Sequence, residues 1–336
     1  MIPKVLFLGT GGVSDAVRLD LPAKELSRRG SLIPVLKGVG EMHQHERLQT
    51  VLNNIDEETS ACVFSRPSSS ALCEVIKRNG AFLVVDVDDD FHSIPRHHVA
   101  WKWMGPGNPE FLSELEECIR IADRVTVTTK ALRERWLPVN KDVVIIPNGW
   151  SKRSSQFWGK KYQRDTINFG WGGTITHRED FQIALSALIR SASKNRNIKI
   201  VIASDPKIYS YLRKVPEKQK LFIPMVPYDI YPHTLCYFDV MLAPLVLDEF
   251  NQHKSDIKLV DAGASRIPFI ASPTYEYVQW SMSGFFPKNT EEWYEAILEL
   301  AEFHELRNSM AAHCNQIANT REMEILGEYW RRAILE

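Results

Sequence analysis

The sequence predicts an α/β chain of two doubly wound halves, each a parallel sheet flanked by helices. Three observations carry this. Short, continuous apolar runs of strand length alternate with helical patterns, as expected for sheets covered on both faces. The chain of 336 residues is long enough for two domains of ordinary size. Near its middle, Pro147-Asn148-Gly149 breaks the alternation, and Trp150 to Arg164 has no convincing period.

Taken in order, Val5-Leu6-Phe7-Leu8 is the first buried strand, and Gly9, Gly11 and Gly12 turn it into a helix near Leu19 to Arg29. The apolar run in MIPKVLFLGTGG is short and ends in glycines, so it reads as this strand and not as a signal peptide. Further strands are expected at Ser60 to Phe64, Phe82 to Val87, Arg124 to Thr128 and Val143 to Ile146. Ala71 to Lys77 and Pro109 to Ile121 carry helical spacing between them. After a linker at residues 151–165, a second βα series starts at Ile167-Asn168-Phe169-Gly170 and continues with strands at Ile198 to Ala203, Leu221 to Met225, Val240 to Ala243 and Pro268 to Ala271. Glu291 to Ala301 and a last segment around Glu322 to Leu335 read as helices. The expected domains are therefore residues 1–150 and 166–319.

The formal net charge of −1 gives no global attraction to nucleic acid or anionic membrane. The five cysteines are scattered, with no C-x-x-C pair, which reads as reduced thiols in a cytoplasmic protein without structural zinc. No stretch approaches the roughly 18–20 apolar residues needed to span a bilayer.

Several motifs carry chemistry. Phe250 to Ser272 places Lys254, Ser255 and Lys258, two ammonium groups and a hydroxyl, just before a short helix and a core strand, an arrangement suited to phosphate. Gly170 to His177 is a strand, a glycine turn with Gly172, Gly173 and Thr174, and then a helix, where backbone amides can approach a second anion. The turn Gly9 to Ser14, with Gly11 and Gly12, has Ser14 where a dinucleotide fingerprint needs its third glycine, which argues against a dehydrogenase. It is either a tight turn or a ligand-facing loop.

Asp86-Val87-Asp88-Asp89-Asp90 stands at the C-terminal end of a strand, where α/β folds bind ligands. Adjacent carboxylates need hydrogen bonds, cations or a metal. They are read as capping and loop-stabilising groups, with no metal, metal ligation being the competing reading. His92, ahead of His97 and His98, could take a proton from an acceptor hydroxyl or bind a sugar; a solvated loop histidine is the alternative. Trp101 and Trp103, with Gly105, Pro106 and Gly107 after them, could stack on a sugar or be partly buried. Val226-Pro227-Tyr228 follows a strand as an ordinary turn or as a base-contacting one, and Asp248-Glu249 either cap or bind donor hydroxyls or are loop carboxylates. The segment Ser151 to Arg164 has five cations and no acid among Phe157, Trp158 and Tyr162, which fits a solvated linker or, alternatively, a polyanion surface.

Phe250, Asn251, Lys254, Ser255, Lys258, Asp261, Pro268, Ile270, Ala271 and Ser272 together resemble the FN..KS..K..E.(A/G)..G.P.IAS segment of GT-B glycosyltransferases of the family 4-like group. Gly170 to Asp180 is similar to the GW.G...H..D segment of the same enzymes, and Arg18 to Pro22 to the R.(x)LP segment after their first glycine loop. Two departures stand out: His253 where many members have a glutamate eight positions before Asp261, and Arg266 where glycine is usual.

The resemblance implies two Rossmann-like domains facing a cleft, with the terminal helix at 320–336 crossing back to the first. It implies a nucleotide diphosphate sugar held by Gly11, Gly12, Gly172, Gly173, Thr174, Pro227, Tyr228, Lys254, Ser255, Lys258 and Asp261. Lys258, His177 and His92 are the expected catalytic groups. The acceptor would meet Arg18, Arg66, Asp88, Asp89 and Trp101. Transfer with retention, without metal or cofactor, is the expected reaction, the acceptor being a glycan, small molecule, protein or DNA. The rivals are a transferase acting on hydroxymethylated bases of DNA, a nucleotide-sugar epimerase or hydrolase, and a non-catalytic nucleotide-sugar-binding protein.

Overall fold

A computed structural model describes residues 2–336, which divide into two compact units. The first contains the chain up to Ser151 together with His253–Ser255 and Arg321–Glu336; the second contains Lys152–Gln252 and Asp256–Thr320.

Six strands form the sheet of the first unit: β1 (Lys4–Gly9), β2 (Ile33–Gly38), β3 (Thr59–Ser65), β4 (Phe82–Val87), β5 (Arg124–Val127) and β6 (Val143–Ile145). All pairings are parallel, in the order β2-β1-β3-β4-β5-β6. Val5 to Leu8 are fully buried, which is why that run is apolar without alternation. Strand β2, absent from the sequence reading, lies at the sheet edge with Ile33 and Leu36 exposed, and it tolerates Pro34 for that reason. Strand order reverses between β1 and β3, so the loops after these two strands flank a switch point, the usual place for a ligand in such sheets.

The first helix is more complex than its apolar spacing suggests. One turn at Val13–Asp15 runs into a wider π turn at Ala16–Asp20 and then into the α-helix Leu21–Arg28. Pro22 has no amide hydrogen to offer the Arg18 carbonyl four residues back, and it marks the junction. The last helix, Met323–Leu335, packs on Leu21–Arg28. It is led there by an exchange of backbone bonds: Trp150 N donates to Arg321 O at 3.1 Å, and Met323 N to Trp150 O at 2.8 Å. A side chain at Gly149 would place its Cβ 2.4 Å from Arg321 O.

The second unit repeats the architecture with β7 (Ile167–Gly172), β8 (Ile198–Ser204), β9 (Lys220–Pro224), β10 (Val240–Ala243), β11 (Phe269–Ala271) and β12 (Gly284–Phe285), again fully parallel, in the order β12-β11-β10-β7-β8-β9. Phe169, Trp171, Phe181, Ile202 and Trp293 form part of the core between this sheet and its helices. Here the switch point lies between β7 and β10. Residues 152–166 form neither helix nor strand. Among the described residues no helix is long and apolar enough to cross a membrane.

Candidate functional site

In the second unit, the loop after β7 carries Gly172, Gly173 and Thr174 into the helix Arg178–Lys194. Gly172 is required by its neighbour, because a Cβ there would lie 2.3 Å from the Tyr231 hydroxyl. Gly173 is more open: its Cβ would stand 3.0 Å from the Trp171 ring and 3.3 Å from Lys258 Nζ. The loop is also tied down, since Gly173 N donates to Ala203 O at 3.2 Å and Ser204 Oγ donates to Gly173 O at 2.6 Å. The Gly173 amide, expected to face a phosphate, thus extends the sheet ladder.

Lys258 sits in the first turn of the helix Ile257–Ala264. Its ammonium group donates to Gly172 O at 2.6 Å and lies 5.1 Å from the centre of the Trp171 ring. Backbone carbonyl and aromatic face hold the cation against the glycine turn, so a positive charge is fixed beside the switch point.

His177 ends the same loop. Its Nδ1 lies 2.8 Å from Asp180 Oδ2, three residues on, at helical i,i+3 spacing. The other Asp180 oxygen accepts from Val246 N at 2.8 Å and Asn251 Nδ2 at 3.2 Å. One buried carboxylate therefore joins the loops after β7 and β10, the two sides of the switch point. Burial works against its ionisation, but His177, the Val246 amide and nearby Lys258 outweigh it and hold Asp180 below its ordinary pKa.

Pro227 and Tyr228 form a turn after β9 in which the Pro227 carbonyl accepts from Ile230 N and Tyr231 N. Tyr228 donates its hydroxyl to Asp261 Oδ1 at 2.8 Å and stacks loosely on Tyr231, with centroids 6.5 Å apart. Burial pushes Asp261 up to about 7, against the opposing pull of the Tyr228 hydrogen bond and of Lys258. Burial also raises Tyr228 well above the usual tyrosine range, with the Asp261 charge adding to it.

The first unit has its own polar cluster at the switch between β1 and β3. Gly11 and Gly12 adopt φ of 102° and 91°, backbone that glycine tolerates best. Gly11 N donates to Asp15, while Gly11 O accepts from Arg66 Nη2 at 2.6 Å. Arg66 also pairs with Asp15 at 3.0 Å and approaches Asp88 at 3.9 Å. Each carboxylate from Asp86 to Asp90 has a separate partner. Asp86 pairs with Arg18, Asp88 accepts from Ser14, and Asp89 pairs with Lys254 at 3.1 Å. Asp90 takes the Ser93 hydroxyl and lies 2.8 Å from His253 Nδ1. Mutual repulsion is thereby relieved by hydroxyls and cations.

Several expectations change. Arg18, expected to meet the acceptor, is 1% exposed, with its guanidinium committed to Asp86, Ile146 O and Asn148. Lys254 and Ser255, expected beside Lys258 at a donor diphosphate, belong to the first unit, where Lys254 meets Asp89 and Ser255 accepts from Asn148 Nδ2 at 2.8 Å. The three-residue segment follows its charge: a lysine and a histidine next to two aspartates. Trp101 folds over Gly107, where a Cβ would come within 2.3 Å of its ring, and it is Trp103 that is exposed. His92 is half-buried, edge-on to Trp136, and burial lowers its pKa, with Arg135 adding to the shift.

The linker is not a free basic strand either. Tyr162 bonds to His233 and lies 4.8 Å from the Tyr237 ring, Phe157 lies 4.5 Å from His233, and Arg164 donates to Cys236 O at 2.7 Å. Asp180, which the sequence reading held only as the last position of the H..D segment and without a role of its own, joins the site, as do Tyr231 and Asp15, which that reading did not name. The i,i+3 spacing of His177 and Asp180 was the available signal for the first; nothing local announces the other two.

No protein-family profile and no curated protein matches the chain. Solved structures do. HepE from Anabaena, in complex with UDP-glucose, is 14% identical, covers 97% of both chains and has a TM-score of 0.68. A Listeria monocytogenes protein described as a UDP-N-acetylglucosamine 2-epimerase is 14% identical over 99% of this chain and 96% of its own, with a TM-score of 0.66. Sucrose-phosphate synthase from Thermosynechococcus elongatus is 11% identical over 99% and 98%, also with a TM-score of 0.66. The fold is thus that of GT-B proteins, an α/β chain of two Rossmann-like domains.

Proposed function

We propose that the protein is a glycosyltransferase that moves a sugar from a nucleotide diphosphate sugar to an acceptor hydroxyl, with retention and without a metal. The observation that carries this is Lys258, an ammonium group held over Trp171 against the Gly172 carbonyl at the head of a helix. Negative charge accumulates on the diphosphate as the glycosidic bond breaks, and a prepositioned cation stabilises that charge more in the transition state than in the ground state. The fold shared with HepE, which was solved with UDP-glucose, supports the same reading.

In this reading the second unit takes the donor. Tyr228 and Pro227 border the base, Asp261 the ribose, and Gly172, Gly173 and Thr174 the diphosphate, with His177 beside them. The first unit offers Arg66, Asp88, Asp89 and His92 to the acceptor. On a retaining path the departing phosphate oxygen can take the acceptor proton, so no protein base is required.

The test is Lys258→Ala, assayed for nucleotide release from UDP-, GDP-, ADP- and dTDP-sugars across an acceptor panel. Turnover should fall by roughly two to three orders of magnitude while circular dichroism stays unchanged. Near-normal transfer by the variant would overturn the assignment. The Listeria neighbour supports a second reading, epimerisation of the sugar. Conversion of a nucleotide sugar in the absence of any acceptor would favour it.

A further inference from the structure

We propose that residues 96–106 of the first unit form a docking loop for an anionic lipid surface, with Trp103 and Val99 entering the headgroup region and Arg96 and Lys102 meeting its negative charge. The inference goes beyond the sugar-transfer reading and does not depend on it.

Trp103 is 72% exposed and Val99 50%, and Pro106 is exposed as well. Single exposed apolar residues are ordinary, but these two stand four positions apart in one helical turn and so share a side. The turn is closed by Trp101 N donating to His98 O at 3.0 Å and Met104 N to Ala100 O at 2.9 Å, and it continues as the helix Trp101–Met104.

Charge in this segment has one sign. There is no acid from Phe91 to Pro109, and Asp90 just before it is buried against Ser93 and His253. Arg96 and Lys102 are exposed, and among the described residues neither has a carboxylate partner; the Arg96 guanidinium carbon lies 5.9 Å from the centre of the Trp101 ring. A chain with a formal net charge of −1 thus carries here a local surface that is both cationic and apolar, the combination used by interfacial segments. A neutral glycan would satisfy the indole and leave both cations unanswered, whereas an anionic headgroup layer answers both.

The loop is also built in advance. Trp101, the other indole, turns inward: a Cβ at Gly107 would stand 2.3 Å from its ring, and Trp101 O accepts from Gly107 N at 3.0 Å. Trp103 O accepts from Asn108 Nδ2 at 3.0 Å, and the same asparagine caps the helix Pro109–Ile121 through Phe111 N. The backbone of Trp103 is therefore held while its ring stays in water, which keeps the ordering cost of docking small. An apolar ring with one N–H suits the boundary between headgroups and acyl chains. Two apolar anchors and two cations give reversible attachment to the surface.

The test is co-sedimentation of the full chain with phosphatidylcholine vesicles, with and without phosphatidylglycerol, at low and high salt. The chain should partition onto the phosphatidylglycerol vesicles, and salt should release it. Trp103→Ala should lower the partition coefficient by about tenfold, with Trp103→Phe retaining part of the binding. Arg96→Glu combined with Lys102→Glu should abolish the preference for phosphatidylglycerol. Lys130→Glu, at an exposed lysine outside the loop, should bind as the unaltered chain does. Circular dichroism should be the same for all, because the substituted side chains are exposed. Absence of partitioning at low salt, or partitioning by Trp103→Ala and by the charge-reversed protein equal to that of the unaltered chain, would overturn the inference. So would fluorescence quenching by soluble glycans that is lost in Trp103→Phe while the chain stays off the vesicles, since the indole would then be a sugar platform.

Discussion

Arg18 and Asp86 meet through three hydrogen bonds inside the first unit, Nη2 to Oδ1 at 2.7 Å, Nε to Oδ2 at 3.1 Å and Nε to Oδ1 at 3.2 Å, with both side chains at most 1% exposed. Thr126 adds a fourth bond to the carboxylate, and the Trp330 ring lies 4.7 Å from the guanidinium carbon. Removing one partner strands the other charge in the core. Arg18→Ala is expected to cost about 3–5 kcal/mol, read as a lower urea midpoint, and Arg18→Leu with Asp86→Leu should recover much of that loss. A midpoint unchanged by Arg18→Ala would contradict this.

Gly172 faces the Tyr231 hydroxyl so closely that alanine cannot enter without a shift. Gly172→Ala should destabilise the protein by roughly 1–3 kcal/mol, and Tyr231→Phe should relieve part of that cost, because ring carbons at 3.1 Å remain. Thermal denaturation of the four proteins of the cycle measures the coupling. Strict additivity would mean that the tyrosine moves aside freely.

Asp261 has a pH signature. Its carboxyl is raised by burial to about 7 when folded and titrates near 4 when unfolded, so the stabilising contribution of the neutral form is complete below about pH 4. That contribution is lost as pH rises through 7, by roughly 4 kcal/mol at most. Asp261→Asn should remove this slope from chemical unfolding measured between pH 5 and 8. Tyr228→Phe, which deletes a hydrogen bond favouring the charged carboxylate, should move the transition to higher pH.

Lys254 and Lys258 should separate experimentally although four positions apart. Lys254→Ala and Asp89→Asn are expected to couple by about 0.5–3 kcal/mol in a stability cycle, as contacting residues do. Lys258→Ala should instead weaken nucleotide-sugar binding with little coupling to Asp89. Equal effects of both lysines on binding, with no Lys254–Asp89 coupling, would argue against the pairing observed.

The alternation of apolar runs such as Val5 to Leu8 and Ile198 to Ala203 was readable because strands buried on both faces must be apolar throughout. Edge strand β2 escaped, since exposure leaves its composition unconstrained, and the two-residue β12 is too short to leave a pattern. In the site, glycines and lysines could be picked out by type, whereas their partners could not. Whether Arg18 points to a ligand or to Asp86 depends on a strand 68 residues away, and whether Lys254 joins Lys258 or Asp89 depends on a loop 165 residues away. Arg18 turns inward because a π turn rotates it there, a backbone detail with no signature beyond Pro22.

The first unit is assembled from the beginning of the chain and from residues after 320, with the helix Met323–Leu335 covering Leu21–Arg28 and Trp330 packing over Arg18. During synthesis, the amino-terminal sheet must therefore wait, with one flank uncovered, until the entire second unit has left the ribosome. A nonsense change anywhere between 321 and 335 would be felt as damage to a sheet whose strands all precede Ser151.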